Sequence, residues 1–205
     1  MRVRVRLVLV SLTALLIIAL ALALVFDHGD SPSSSQDSGF DGATFPPGLR
    51  AYDFTLVSQR GRRVSLSAYR GQVVVLAFLF SNCRTCVLVA EQVRGALDEL
   101  ADTRGVRTLF VSTDPQTDTH ASVARFLEET SLTDRVEYLT GTFGQLQPVW
   151  RAYGVAPVSA GKTASEAQAP VLLIDRAGLE RVGFGPEQIT PEGLVHDIGR
   201  LQAEP

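Results

Sequence analysis

Residues 72–80, QVVVLAFLF, form an unbroken apolar run that is rich in β-branched side chains. A run of this kind is typical of a central strand that is buried on both faces of a sheet. The two cysteines of the chain, Cys83 and Cys86, follow this run. From residue 84 to about 101 the apolar side chains recur at helical spacing. The sequence therefore predicts a buried strand, a cysteine pair and a helix in direct succession.

Stretches typical of strands and helices alternate from Leu49 onward. Their order predicts a β-hairpin, a strand, a helix, a strand, a helix, a strand, a helix, a second β-hairpin and a final helix. Thr119 is a predicted N-cap, and Thr190 with Pro191 is typical of a capped start for the last helix. Helices between parallel strands, followed by an antiparallel hairpin, predict an α/β fold. Residues 49–205 are expected to form one three-layer α/β/α sandwich with a mixed central sheet.

An apolar run without charges also precedes the predicted domain, at residues 7–26, LVLVSLTALLIIALALALVF. About 20 helical residues span the hydrocarbon core of a bilayer, so residues 1–26 are expected to form a transmembrane anchor. The arginines before the run favour a cytoplasmic N-terminus and an extracytoplasmic domain. The alternative is a cleaved signal peptide, although the small-residue site at 21–23 lies within the run and not after it.

Between the anchor and the domain, residues 27–48 are rich in Ser, Gly, Asp and Pro. This composition cannot bury an apolar face, so a flexible linker is expected. The formal net charge of the whole chain is −3, and no basic stripe with interleaved aromatic residues is present. These features exclude a typical nucleic-acid-binding surface.

Cys83 is predicted to lie where the buried strand gives way to a helix. The positive end of the helix dipole and the free N–H groups favour a thiolate there, and Arg84 adds a positive charge. Cys86 lies almost one turn later, near enough to close a disulfide with Cys83. A thiol of lowered pKa beside a resolving thiol suits disulfide exchange. A metal clamp remains open, whereas an inert pair is disfavoured because so short a loop stabilises a fold little.

Three further residues are candidates for the same edge of the sheet. Asp114 and Asp118 follow the second buried strand, and Asp114 is a candidate proton acceptor for Cys86 during exchange. The alternative is an aspartate that caps a turn or a helix. Pro170 directly precedes the strand VLLID, a position that is unusual unless the missing N–H is harmless there.

The domain resembles the SCO/SenC branch of the thioredoxin-like superfamily. The resemblance is carried by GQVVVLAFLFSNC at residues 71–83, followed by the two-cysteine turn, and by FVSTDPQTDT at residues 110–119. It implies a thioredoxin-like fold and an anchored extracytoplasmic protein that supports assembly of the copper centre of cytochrome c oxidase. Members of the family bind copper through two cysteines and a distant histidine, or act as thiol–disulfide reductants on an oxidase subunit.

The sequence departs from the family pattern where copper would bind. The family spaces its cysteines Cys-x-x-x-Cys-Pro, whereas this chain has Cys83-Arg-Thr-Cys86-Val. The ligand histidine of the family lies shortly before the strand VLLID, but residues 158–170 contain no histidine. Pro170 resembles the cis-proline that faces the CxxC pair of thioredoxins. A cis-proline there would leave the preceding backbone free to grip a substrate and would crowd a metal away from the sulfurs.

Three histidines remain as substitutes for the missing ligand. His28 lies in the predicted linker, and His196 is expected at the surface of the last helix. His120 begins a helix at the sheet edge of the cysteines and is the candidate third ligand. Two thiolates alone suffice to hold Cu(I), because soft ligands select that ion. Zinc is disfavoured because four suitable ligands are lacking.

These observations predict a membrane-tethered extracytoplasmic thiol–disulfide oxidoreductase of the SCO/thioredoxin-like type. The expected catalytic residues are Cys83, Cys86, Arg84, Asp114 and Pro170, with no required cofactor. The expected partners are a protein that carries a disulfide or thiols, such as an oxidase subunit, and a second redox protein. The alternative is a Cu(I) metallochaperone for cytochrome c oxidase. A thiol peroxidase is disfavoured because its Thr-x-x-Cys motif would need a threonine where Phe80 stands.

Overall fold

The structure is a computed structural model that describes residues 39–158 and 169–204. These residues belong to one compact unit, Gly39–Pro205. The predicted anchor at residues 7–26 lies outside the described residues. Within the described part, no helix combines the length and the apolar character needed to cross a membrane.

The described residues form eight strands in one sheet, with four α-helices and one 3₁₀ turn. The strands are β1 (Ala43–Thr44), β2 (Thr55–Ser58), β3 (Arg63–Ser65), β4 (Val73–Leu79), β5 (Val106–Ser112), β6 (Glu137–Thr140), β7 (Val171–Ile174) and β8 (Glu180–Phe184). The helices are α1 (Arg84–Glu99), α2 (His120–Glu129), α3 (Phe143–Ala152) and α4 (Pro191–Ala203), and the 3₁₀ turn is Leu66–Tyr69. The order of elements predicted from Leu49 onward is confirmed.

The sheet has the order β1-β8-β7-β4-β5-β6-β2-β3. Strand β4 runs parallel to β5, and β5 runs parallel to β6, whereas β7 pairs antiparallel with β4. All seven residues of β4 are buried, which confirms the central strand expected from its apolar run. Because β4, β5 and β6 are parallel, their carboxyl ends lie at one edge of the sheet, and the cysteine turn follows β4 at that edge.

Two apolar clusters cover the two faces of the sheet. One contains side chains of α1, α2 and α4, and the other contains side chains of α3 and the 3₁₀ turn. The helices begin at side-chain caps: Thr119, Thr142 and Thr190 each accept a hydrogen bond from a backbone N–H of the first turn. The predicted caps at Thr119 and Thr190 are thereby confirmed, and the three-layer arrangement follows from burial on both faces.

Part of the segment predicted to be a flexible linker belongs to the folded unit. Strand β1 lies within residues 27–48 and pairs antiparallel with β8 at the edge of the sheet. The fully buried Asp197 of α4 accepts hydrogen bonds from the backbone N–H groups of Asp41, at 2.8 Å, and Gly42, at 3.0 Å. The imidazole Nδ1 of His196 lies 2.9 Å from the same carboxylate. Backbone pairing and the packing of Phe40 and Phe45 against the two apolar clusters hold this segment, and its largely polar composition concealed both.

We expect Asp197→Ala to lower the free energy of unfolding by about 2 kcal/mol, because it leaves two backbone donors without their buried acceptor. Asp134→Ala is the control, since its carboxylate is 90% exposed and takes part only in a surface ion pair. The control is expected to cost less than about 1 kcal/mol. Urea denaturation of the full chain measures both values. Equal losses in the two variants would contradict the structural role of Asp197.

Candidate redox site

The cysteine pair lies at the first turn of α1. Cys83 is the N-cap residue, and its Sγ accepts a hydrogen bond from the backbone N–H of Cys86 at 3.0 Å. The two side chains form a disulfide, with their Cα atoms 5.1 Å apart. The first turn of α1 contains no acidic residue. On reduction, a thiolate at Cys83 would therefore meet the positive end of the helix without opposing charge on that turn.

Both sulfur-bearing residues are buried in this oxidised state. Cys83 is 1% exposed and Cys86 is 0% exposed, and both belong to the apolar cluster under α1. Arg84, the first residue of the helix, is exposed. The arginine is therefore accessible from the surface, whereas access to either sulfur requires the turn or its surroundings to move.

The carboxylate of Asp118 fixes the loop that precedes the cysteines. It accepts hydrogen bonds from the backbone N–H of Ser81 at 2.8 Å, from the Ser112 hydroxyl at 2.6 Å and from the Tyr138 hydroxyl at 2.7 Å. Ser112 ends β5 and Tyr138 lies in β6. Asp118, which is 8% exposed, therefore joins two parallel strands to the turn that carries Cys83.

Burial determines the protonation behaviour of this group of residues. It raises the pKa of Asp118, while the hydrogen bonds from Ser112, Ser81 and Tyr138 oppose the rise. Burial also raises the pKa of Tyr138 well above its ordinary value, and the negative charge of Asp118 adds to the effect. The phenol consequently remains a proton donor to the carboxylate.

The carboxylate of Asp114 is engaged within its own loop. It accepts hydrogen bonds from the Thr117 hydroxyl at 2.7 Å and from the backbone N–H of Gln116 at 3.2 Å. The loop backbone closes as well, because the N–H of Asp118 donates to the Asp114 carbonyl. These contacts are those of the turn-capping alternative. A role as proton acceptor for Cys86 stays a prediction.

The peptide bond before Pro170 is trans, since the described residues contain no cis peptide bond. The expectation of a thioredoxin-type cis-proline is therefore wrong. The carbonyl of Pro170 accepts a hydrogen bond from the N–H of Phe78 in β4, and Ala169 is 4% exposed. The proline thus begins the pairing of β7 with β4, and the residue before it is buried. Because this bond is trans, the crowding of a metal that was expected from a cis-proline at residue 170 does not apply.

Among the described residues, no group of three potential metal ligands contains both a histidine and a cysteine. His120 is the exposed first residue of α2. Among residues 39–158 and 169–204, only Asp41, His196 and Asp197 bring three ligand atoms within 4.8 Å of one another. His28 lies outside the described residues. His120 as a third copper ligand therefore stays a prediction without a matching contact.

A cleft of about 440 Å³ opens beside Asp118 at the same edge of the sheet. Trp150 in its wall is buried, and its indole N–H donates to the carbonyl of Ser112 at 2.9 Å. The half-exposed Phe143 meets the Trp150 ring edge-on, with 5.3 Å between the ring centroids. Val158 also lines the cleft and packs against the cluster that contains both cysteines. The cleft therefore borders the Asp114–Asp118 loop, which is joined to the cysteine turn through the hydrogen bond of Asp118 to Ser81.

Sequence reasoning identified the cysteine pair and placed Asp118 at the same edge of the sheet, but it did not identify the role of Asp118 or its hydrogen-bond partners. Asp118 stands four positions after Asp114 in one loop, and no spacing rule distinguishes the buried carboxylate of Asp118 from the half-buried one of Asp114. The partners Ser81, Ser112 and Tyr138 are distant from one another along the chain and meet only through strand order. The neighbouring cap at Thr119 was a usable signal, because it fixes where the loop turns back into the structure.

A sequence profile of the SCO1/SenC family matches residues 46–203. The mitochondrial protein SCO2 homolog of Bos taurus is 35% identical over 107 residues, which cover 50% of this chain and 40% of that protein. The chain thus spans less than half the length of the curated relatives that it matches.

Two solved structures share the fold. The structure of BsSco, described as a member of the Sco family of cytochrome c oxidase assembly proteins with a disulfide switch, superimposes with a TM-score of 0.63 at 21% identity. The alignment covers 78% of this chain and 97% of BsSco. Copper-bound ScoI of Bradyrhizobium japonicum gives a TM-score of 0.57 at 25% identity, over 75% of this chain and 99% of ScoI.

We expect Asp118→Asn to remove a dependence of stability on pH. Because burial raises the folded-state pKa of Asp118, the folded chain binds this proton more tightly than the unfolded chain. The stability due to this group therefore decreases as the pH rises from the ordinary carboxyl value of about 4 through the raised pKa. Urea denaturation between about pH 4 and 8 should show the wild-type free energy of unfolding falling relative to that of the variant.

Asp134→Asn provides the control for the loss of a carboxylate at an exposed position. Its difference from the wild type should vary little over the same pH range. A constant difference between wild type and Asp118→Asn would contradict the raised pKa and show that the hydrogen bonds at least balance burial at this carboxylate.

Proposed function

Because the chain belongs to the SCO1/SenC family and its two cysteines form a disulfide at the start of α1, we propose that it is a thiol–disulfide oxidoreductase. The observation that carries the proposal is the position of Cys83, whose sulfur caps the helix. A disulfide sulfur is a weak acceptor, whereas a thiolate at the same place gains a charge-assisted hydrogen bond. The helix therefore favours the reduced, nucleophilic form of Cys83.

In the proposed reaction, the Cys83 thiolate attacks a disulfide of the substrate protein. A mixed disulfide forms, and one substrate sulfur leaves as a thiolate that takes up a proton. The Cys86 thiolate then attacks the sulfur of Cys83 and releases the second substrate thiol. Two electrons pass to the substrate, and the Cys83–Cys86 disulfide remains until a second redox protein reduces it.

Asp118 acts in this proposal as a positioning residue. Its hydrogen bond to the N–H of Ser81 holds the loop before Cys83 against β5 and β6. Arg84 presents a positive charge at the surface of the same turn. The buried disulfide reacts only when this turn opens, so the oxidised form is protected from small thiols until a partner binds.

The proposed setting is the extracytoplasmic side of a membrane, with residues 7–26 as the anchor. Disulfides form and persist in that compartment. The proposed substrate is a subunit of a respiratory oxidase whose cysteines must be reduced before copper enters. The support for this substrate is family membership together with the Sco relatives, one of which is described as a cytochrome c oxidase assembly protein.

We expect the two cysteine variants to differ in a disulfide-reduction assay. Cys83→Ser should abolish reduction of a test protein such as insulin, because the attacking thiolate is lost. Cys86→Ser should still attack but stop after one turnover, and a mixed disulfide with the substrate should accumulate. Turbidity of reduced insulin and the mass of the trapped adduct measure these outcomes. Equal activity of both variants with the wild type would refute the exchange mechanism.

A Cu(I) metallochaperone is the second candidate function. The trans peptide bond at Pro170 removes one objection to metal at this site, and the ScoI relative was solved with copper bound. After reduction, Cys83 and Cys86 supply two soft thiolates, which fit Cu(I). The described residues add no third ligand close to them. Copper is cargo in this proposal and is passed on to the oxidase subunit.

Titration of the reduced full chain with Cu(I) against a chromogenic chelator separates the two candidates. A metallochaperone should bind one equivalent tightly, and either cysteine variant should lose this binding because a single thiolate cannot hold the ion in linear coordination. His120→Ala tests the predicted third ligand. Tight binding that weakens in His120→Ala would favour copper transfer over redox exchange alone. Absence of stoichiometric binding would leave disulfide exchange as the function.

A further inference from the structure

A second cavity, of about 370 Å³, lies at the edge of the sheet opposite the cysteines. Its wall includes the amino ends of β5 and β6 and the β2–β3 hairpin. The cysteine turn follows the carboxyl end of β4, which is parallel to β5, so the length of the sheet separates the two places. The cavity is therefore independent of the redox site and of the function proposed for it.

Arginine dominates the wall of this cavity. Arg60, Arg62, Arg107 and Arg135 line it, together with two carboxylates. Arg60 pairs with Asp134 at 2.9 Å, whereas Arg135 pairs with an aspartate outside the wall. Within the part of the chain that the structure describes, the exposed Arg107 forms no ion pair. The cavity thus holds a guanidinium charge that no carboxylate of the described residues neutralises.

Glu137 is the mostly buried one of the two carboxylates in the wall, since the carboxylate of Asp134 is exposed. The side chain of Glu137 is 14% exposed, and its Oε1 forms ion pairs with Arg62 and, at 3.7 Å, with Arg60. Its Oε2 is buried without a hydrogen-bond partner among the described residues. This carboxylate repels a fully ionised anion but favours an anion that carries a proton. Burial and the charge of Glu137 raise the pKa of Tyr69, which leaves a phenol donor in the same wall.

We propose that this cavity binds a protonated tetrahedral oxyanion, either inorganic phosphate or a phosphate monoester, with Arg107 as its principal ligand. A guanidinium offers a planar fork of N–H donors that matches two oxygens of a phosphate. Arg62 and Arg135 flank the anion with further positive charge. Glu137 selects for the proton, because hydrogenphosphate can turn its O–H towards the carboxylate and sulfate cannot.

Isothermal titration of the full chain in neutral detergent, at about pH 5.5 and constant ionic strength, tests the assignment with phosphate and sulfate as probes, because a phosphate monoester also carries its proton below its second pKa of about 6. Wild type should bind phosphate saturably and sulfate at least about tenfold more weakly. Arg107→Gln should weaken phosphate binding by at least about tenfold, the effect expected for loss of one charge-assisted contact. The matched control is Arg63→Gln, an exposed arginine of β3 outside the cavity, and it should change the affinity by less than about twofold.

Glu137→Gln tests the preference for phosphate over sulfate, which a loss of positive charge from the cavity would not change. Sulfate should approach phosphate in affinity in this variant, because the repelling carboxylate is gone. Glycerol phosphate, a monoester, should bind more tightly than glycerophosphoglycerol, the diester headgroup of a phospholipid. Three outcomes would each overturn the proposal: no saturable phosphate binding by the wild type, equal losses in Arg107→Gln and Arg63→Gln, or binding of sulfate or the diester as tightly as phosphate.

Discussion

One buried carboxylate connects the cysteine turn to the sheet. Asp118 receives hydrogen bonds from a strand end, from the neighbouring strand and from the loop before Cys83. Burying such a group costs free energy unless its acceptor positions are occupied. The three donors meet that requirement only when β5, β6 and the loop all hold their native positions. The geometry of the candidate redox site is therefore coupled to the integrity of the sheet around it.

Local patterns were sufficient for most of the fold. The apolar run of β4 and the threonine caps are short-range signals, and each determined an element that the structure contains. Strand β1 was missed because a two-residue edge strand leaves no periodic pattern, and its polar surroundings resemble a linker. The site shows the same contrast: Cys83 and Cys86 are only three positions apart in the sequence, whereas the partners of Asp118 meet only through tertiary structure.

Pro170 shows how a family analogy can mislead at a single position. A proline before a core strand is compatible with either isomer, and the bond before Pro170 is trans. Here the carbonyl of Pro170 pairs with β4, so the residue belongs to the ladder. The distinction between disulfide exchange and copper transfer therefore depends on the cysteine spacing and on the third ligand. Both features differ from the family pattern that the sequence otherwise follows.

The attachment of the N-terminal segment has a mechanical consequence. Residues 41–44 are held to the last helix by the carboxylate of Asp197 and to the sheet by β8. A force applied to the chain ahead of Gly39 would therefore be transmitted to β8 and α4, which lie near the C-terminal end of the domain. The force would enter the sheet at its edge strand β1, whereas the cysteine turn follows the central strand β4. Such a force would strain residues 41–44 before it disturbed the disulfide.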